Sequence, residues 1–214
     1  MALYPINLQL AGRNCAVIGG GAVAERKIGD LLSAEAVITV FSPVLSQVLE
    51  GLAKEKRINH VARFYEPGDS TGFFIVICAT DNKAVNEAAA REAKAAGALV
   101  NVADNPELCD FSVPAKVVRG DLVITVSTGG HSPALAKQLR LNLERQYGPE
   151  YEKWLEILGE IRDEMKEKLS VSKQRESFWH QAMDESVLTL VEEGRLKEAE
   201  ERIRHAIGCT WSES

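Results

Sequence analysis

A run of glycines near the start of the chain places the strongest constraint on its fold. Residues 19–24 read Gly-Gly-Gly-Ala-Val-Ala and directly follow a short apolar segment. They fit the pattern G-x-G-x-x-A, in which the glycines allow a tight turn and close approach of a ligand, and the last small residue lets a helix pack on the sheet. Free amides at a helix start attract phosphate groups. The run predicts a strand–turn–helix unit with a dinucleotide site, and a purely structural turn is the alternative.

Strands and helices are predicted to alternate through the first 113 residues. Segments rich in Val, Ile and Phe have the length and composition of strands, with 60–64 the weakest of them: 14–19, 37–41, 60–64, 73–79 and 99–102. Three stretches between them carry Ala, Leu, Glu and Lys at helical spacing: 22–32, 44–54 and 83–96. This alternation predicts an α/β fold, a Rossmann-type parallel sheet with helices on both faces.

The pattern changes at Pro114. Two short strands, 115–118 and 122–127, are joined by Arg-Gly-Asp, which is typical of a hairpin turn. A helix follows to about residue 146, and the remainder is helical and charged. We therefore expect three parts, namely a dinucleotide-binding domain at 1–113, a small α+β segment at 114–146 and an all-α domain at 147–214.

The charge distribution limits the kinds of partner. The whole chain has 25 Lys and Arg against 31 Asp and Glu, a net charge of −6, which argues against general binding of nucleic acid. No apolar run is long enough to cross a membrane and no secretory signal is visible, so we expect a cytoplasmic protein. The segment 114–146 instead has five basic residues against two acidic ones. It indicates a local anionic partner, or only a solvated surface.

The loops beside the glycine run give further candidates for cofactor binding. Residues 41–44 read Phe-Ser-Pro-Val and lack the acidic residue that usually contacts the ribose, so Ser42 is the candidate for that hydroxyl. No arginine is present there for a 2′-phosphate, which favours NAD over NADP. The loop 79–82 contacts the ribose or nicotinamide, caps the next helix, or does both. The predicted cofactor-binding residues are Gly19, Gly21, Ala22, Val23, Ser42, Pro43, Val44, Thr80 and Asp81.

Two motifs together point to a family. Residues 17–27 read Val-Ile-Gly-Gly-Gly-Ala-Val-Ala-Glu-Arg-Lys, and residues 126–136 read Val-Ser-Thr-Gly-Gly-His-Ser-Pro-Ala-Leu-Ala. With the segments 79–81 and 101–104, they resemble the precorrin-2 dehydrogenase and sirohydrochlorin ferrochelatase family, the dehydrogenase–chelatase module of siroheme synthase, in a stand-alone form. The similarity covers almost the whole chain.

The resemblance implies an enzyme that uses NAD to oxidise precorrin-2 to sirohydrochlorin in siroheme biosynthesis. Some members of the family also insert ferrous iron into the product, and the resemblance leaves this open here. It further implies a homodimer. The proposed catalytic group of the family is the aspartate of Asn-x-x-Asp, which is Asp104 here and follows Asn101. The alternative is that Asp-Asn-Pro at 104–106 forms only a turn.

The substrate of this family carries acetate and propionate arms, which need cations or helix N-termini. The predicted substrate-binding residues are Asn101, Lys116, Arg119, Ser127, Thr128, Gly129, His131, Ser132, Lys137 and Arg140. No group of residues has the spacing of a permanent metal site. Asp104 and His131 are candidates for transient contact with a metal, although a lone histidine more often has no such role.

Two other functions fit parts of the sequence. One is a regulatory module that senses NAD(H) without catalysis, which would need the glycine run but neither Asp104 nor the basic segment. The other is a metal chelatase whose dinucleotide site is vestigial.

Overall fold

The computed structural model describes residues 3–168 and 172–211, which form two compact units with the boundary between Val113 and Pro114. The segment that starts at Pro114 lies in one unit with the helices that follow it. The further division at residue 146 stays a prediction.

The first unit is built on a five-stranded parallel sheet. Its strands, in chain order, are β1 (Asn14–Ile18), β2 (Val37–Phe41), β3 (Asn59–Val61), β4 (Ile75–Cys78) and β5 (Leu99–Val102). Its helices are α1 (Ala22–Ser33), α2 (Gln47–Lys54) and α3 (Lys83–Ala95), and a short 3₁₀ turn covers Pro106–Leu108. The strand order is β3-β2-β1-β4-β5, so the chain reverses its direction of travel across the sheet between β1 and β4.

Both faces of this sheet are buried, and successive side chains of the central strand β1 pack alternately on one face and the other. Val17 packs on one face in a core shared with Ile28 of α1 and Leu49 of α2. Ile18 packs on the other face, in a core that contains Ala89 of α3. The predicted Rossmann-type sheet with helices on both faces is confirmed. Its continuous apolar strands are explained by this cover on both sides.

The structure corrects three predicted boundaries. Helix α2 begins at Gln47 rather than at residue 44, because the Ser46 hydroxyl caps it by accepting from the Leu49 amide at 3.3 Å. Strand β3 ends at Val61, so Phe64 lies in a loop. Strand β4 covers only Ile75–Cys78, the part of the predicted segment that pairs with both neighbouring strands.

The second unit joins a hairpin to a group of helices. The hairpin pairs β6 (Ala115–Arg119) with β7 (Leu122–Val126) in antiparallel fashion, as predicted. The helices are α4 (Pro133–Gln146), α5 (Glu150–Lys168), α6 (Ser172–Ala182), α7 (Glu185–Glu192) and α8 (Leu196–Trp211). Trp154, Phe178 and Ile203 are buried at the centre of the helical core. Within the described residues, no helix is both long and apolar enough to span a membrane.

Candidate functional site

A cleft of about 750 Å³ lies in the first unit, where β1, β2 and β4 end. In an open parallel sheet, ligands bind beyond the carboxyl ends of the strands at the point where the strand order reverses. The lining residues are 18–23, 41–46, 64–65, 79–82 and 85. All nine residues predicted to bind the cofactor are among them, so the structure brings that whole group together.

At two positions of the turn, only glycine fits the space that the surrounding protein leaves. Gly19 has φ +117°, and a Cβ there would collide with the carbonyl oxygen of Ala79. A Cβ on Gly20 would collide with the carbonyl oxygen of Val44 and lie 2.8 Å from the Ser42 hydroxyl. The loops after β2 and β4 therefore pack directly against the backbone of the glycine turn. The sequence pattern does not single out Gly20, because its close contacts come from a distant loop.

Gly21 is different, because nothing in the protein requires a glycine there. Its φ is −87°, which any residue adopts, and a Cβ on it would meet no atom within 4 Å. It is the N-cap of α1, and no side chain caps this end of the helix. The first-turn amides lack a side-chain acceptor, and the space beside them lies in the cleft. A diphosphate fits this arrangement, since anions bind the open N-terminus of a helix.

The loop after β2 is held by its own polar groups. The Ser42 hydroxyl donates to the carbonyl oxygen of Val44 at 2.7 Å, so the oxygen of Ser42 can only accept from a ligand. The Ser46 amide donates to the Gly20 carbonyl at 2.8 Å, and the Ser46 hydroxyl donates to Glu25 of α1 at 2.5 Å. Both loop serines thus fix the position of this wall of the cleft.

The loop after β4 is fixed by a buried amide that the sequence analysis missed. The Asn86 side chain is 4% exposed, accepts from the Thr80 hydroxyl at 2.7 Å and donates to the Thr80 carbonyl at 2.9 Å. Asn82 caps α3 by accepting from the amides of Ala84 and Val85, which confirms the capping interpretation of this loop. The Thr80 hydroxyl is therefore engaged within the protein. Asp81 is left exposed at the edge of the cleft.

Asp104 lies two residues beyond β5, at the same edge of the sheet, but it does not line the cleft. It is exposed and has φ +60°, a conformation that aspartate and asparagine tolerate better than most residues. Asn101 is buried, and its amide donates to the Phe111 carbonyl at 3.0 Å. This bond ties β5 to the segment after the 3₁₀ turn, and the predicted contact of Asn101 with substrate stays a prediction.

The second unit holds a polar turn before α4. The Ser132 hydroxyl caps α4 by accepting from the Leu135 amide at 3.2 Å. The Thr128 hydroxyl accepts from the Ser132 amide at 3.2 Å, and the Ser127 hydroxyl accepts from the Gly129 amide at 3.3 Å. His131 is exposed in this turn. The structure thus gathers five predicted residues in one turn, namely Ser127, Thr128, Gly129, His131 and Ser132. The three hydroxyls accept hydrogen bonds from backbone amides of the same segment.

The four basic residues predicted to bind substrate differ in their exposure and in their bonds within the protein. Arg119 donates to the backbone carbonyls of Val118, Glu144 and Tyr147 at 2.9–3.1 Å, which ties the hairpin to the end of α4. Its predicted contact with substrate stays a prediction. Arg140 is paired with Glu144 at 2.7 Å. Lys116 is half-buried on β6. Lys137 is exposed in the second turn of α4 and forms no ion pair with any described residue.

The side chains of the described ranges include no group of three or more His, Cys, Asp or Glu that could hold a metal ion. Cys78 is buried under α3, and this burial raises the pKa of its thiol to about 12. The cysteine is therefore protonated and inert at neutral pH.

Three family models match the chain in order. The model described as "Putative NAD(P)-binding" matches residues 6–115, which is half of the chain. The chain belongs to this NAD(P)-binding family. Residues 119–146 match the model of the sirohaem biosynthesis protein central region, and residues 150–207 match that of the sirohaem synthase dimerisation region. These matches confirm the resemblance to the module of siroheme synthase.

Similar proteins support the same assignment. The chain is 40% identical over 207 residues to siroheme synthase of Methylobacillus flagellatus and 37% identical over 200 residues to that of Methylococcus capsulatus. The alignments cover 97% and 94% of this chain but only 44% and 42% of those relatives, so the chain spans less than half of their length. Among solved structures, SirC, a precorrin-2 dehydrogenase, matches with a TM-score of 0.75 and 29% identity over 94% of this chain and all of that one.

The different environments of Gly20 and Gly21 can be tested directly. Gly21→Ala should leave the free energy of unfolding within about 1 kcal/mol of the wild-type value, because its Cβ meets no protein atom. It should weaken binding of NAD by about tenfold or more, since the methyl group occupies space in the cleft. Gly20→Ala should instead destabilise the protein by about 1–3 kcal/mol through its collision with the Val44 carbonyl. Urea unfolding and calorimetric titration measure both effects. Equal loss of stability in the two variants would contradict this account.

Proposed function

We propose that the protein is an NAD-dependent dehydrogenase that oxidises precorrin-2 to sirohydrochlorin in siroheme biosynthesis. The observation that carries the proposal is the cleft at the carboxyl edge of the sheet, where an uncapped helix start faces open space beside Gly21. The similarity to SirC, a precorrin-2 dehydrogenase, over that protein's whole length supports the proposed substrate and reaction. A nicotinamide dinucleotide held in this cleft would supply the hydride acceptor for the oxidation.

The choice of NAD over NADP rests on the charge of the cleft. Among the cleft-lining residues, all of which belong to the described part of the chain, Asp81 is the only one with a formal charge at neutral pH. The lip after β2 is formed by Pro43 and Val44, both exposed and apolar. A 2′-phosphate on the adenosine ribose would find no cation there, whereas the hydroxyl of NAD can donate to the oxygen of Ser42.

A cation placed on this lip should change the preference. Val44→Arg puts a guanidinium where the side chain is 71% exposed, so we expect affinity for NADP to rise about tenfold while affinity for NAD changes less than about twofold. Val48→Arg is the matched control, because Val48 is 55% exposed on α2 but does not line the cleft. Calorimetric titration of both variants with both dinucleotides gives the result. An equal gain for NADP in the two variants would show only a general effect of charge.

Asp104 is the proposed proton acceptor. Oxidation of the substrate removes a proton together with the hydride, and a carboxylate oxygen of Asp104 takes this proton. The residue is exposed at the edge of the sheet that also carries the cleft, and its carboxylate forms no ion pair or hydrogen bond with a side chain of the described ranges. Its turn conformation is the one that the alternative interpretation expected, and a turn at φ +60° is compatible with both roles.

The overall reaction is tested by anaerobic incubation with NAD and enzymatically made precorrin-2. The proposal predicts that NADH and sirohydrochlorin form in equal amounts without added metal. A regulatory module would bind NAD without turnover, and a chelatase would consume metal without forming NADH, so either result would contradict the proposal.

In the same assay, Asp104→Asn should lower kcat by about 100-fold or more while the Kd for NAD stays within about twofold of the wild-type value. Asparagine is chosen because it tolerates φ +60°. Glu107→Gln, which removes a nearby exposed carboxylate, should leave kcat unchanged. An unaffected Asp104→Asn enzyme would remove Asp104 from the mechanism.

The anionic arms of the substrate are proposed to bind at the start of α4. Lys137 supplies an exposed cation there, and the turn 127–132 precedes the helix N-terminus. Arg140 is a weaker candidate than its charge suggests, because Glu144 pairs with it.

Lys137→Glu should therefore raise the KM for precorrin-2 about tenfold and leave the KM for NAD unchanged. Arg145→Glu, the same charge reversal at the other end of α4, should change the KM for precorrin-2 much less. Steady-state kinetics with each substrate varied in turn distinguishes the two. Equal effects on both Michaelis constants would place Lys137 outside the substrate site.

The matched dimerisation region at 150–207 supports a homodimer as the working form. The proposed location is the cytoplasm, as expected from the sequence. The proposal covers the dehydrogenation alone, since none of the observations above carries a step for insertion of ferrous iron.

A further inference from the structure

An exposed aromatic side chain lies at the edge of the cleft. Phe64 lines the cleft, yet 76% of it is exposed. It follows β3 by three residues and lines the same cleft as Pro43 and Val44. A flat ligand that stacks on this ring removes its apolar surface from water, which is favourable.

We propose that the adenine ring of the dinucleotide stacks on Phe64, and that hydrogen bonds within the surrounding loop hold this residue in position. This inference rests on the proposed dinucleotide function and specifies which residue binds the base.

The first side of the loop is fixed by Asp69. Arg63 donates to both carboxylate oxygens of Asp69, at 2.6 and 2.8 Å, and the Glu66 amide donates to the same carboxylate at 2.8 Å. This forked pair is the stronger kind of charge-assisted bond. It holds the residue immediately before Phe64.

The other side of the loop is fixed by Glu92 of α3. One carboxylate oxygen of Glu92 accepts from the Tyr65 hydroxyl, and the other accepts from the Gly68 amide at 2.6 Å. Partial burial and the bond to Glu92 raise the pKa of Tyr65 to about 12, so the phenol keeps its proton and the bond persists around neutral pH. Both neighbours of Phe64 are thus anchored while its own ring stays exposed. A loop backbone that is held in advance loses less conformational freedom when a ligand binds.

The position in the sheet assigns the base rather than the nicotinamide to Phe64. Strand β3 lies beside β2, on the opposite side of β1 from β4 and β5. In folds of this type the residue after the second strand contacts the ribose of the adenosine half. The loop after β3 therefore borders the adenosine half. Because the loop after β2 offers no carboxylate for that ribose, apolar contact with the base must supply more of the binding free energy.

Titration with ADP-ribose tests the inference, since this ligand contains the adenine and the diphosphate but no nicotinamide. In the full chain, Phe64→Ala should weaken the binding of ADP-ribose and of NAD by about tenfold, which is typical of loss of one base–aromatic stack. Phe64→Trp should bind within about twofold of wild type, and its added indole fluorescence should be quenched by ADP-ribose. Tyr4→Ala is the matched control, because Tyr4 is 88% exposed in the same unit but does not line the cleft.

Two results would overturn the inference while leaving the proposed function intact. One is wild-type affinity for ADP-ribose in Phe64→Ala, and the other is failure of Phe64→Trp to restore affinity although its melting temperature equals that of the wild type. Failure of the wild-type protein to bind NAD at all would instead overturn the proposed function and this inference with it.

Discussion

The attraction between a diphosphate and the uncapped start of α1 is the interaction on which the proposed activity depends. Strand β1 is buried on both faces at the centre of the sheet, so the turn that follows it is held rigidly where the strand order reverses. Gly21 gives the helix no side-chain cap and leaves open space beside the first amides. An anion is the natural partner of such a helix end, because its amides and its dipole both favour negative charge.

The walls of the cleft are fixed by contacts with the same turn. Gly20 touches the loop after β2 through the Val44 carbonyl, and Gly19 touches the loop after β4 through the Ala79 carbonyl. Buried Asn86 then holds the Thr80 backbone, and Ser46 joins the second helix to the first through Glu25. A rigid cleft of this kind positions a cofactor without reorganisation, which is the main contribution that a protein makes to hydride transfer.

The parts of the fold that follow local patterns could be predicted from the sequence, and those that depend on contacts between distant segments could not. The glycine run, the apolar strands and the hairpin after Pro114 are local, and the structure confirms them. Asn86 looks like any polar helical residue in the sequence, since its partner Thr80 is revealed only by the fold. The bonds that Arg119 and Asn101 donate to backbone carbonyls likewise join segments that are distant or irregular in the sequence, so a single sequence does not reveal them.

A crystal structure of the protein with bound NAD tests the central claim most directly. The account predicts that diphosphate oxygens lie within hydrogen-bond distance of the backbone amides of residues 21–23, with the ligand passing over Gly21. A diphosphate held by side chains elsewhere, with the start of α1 facing only water, would contradict it.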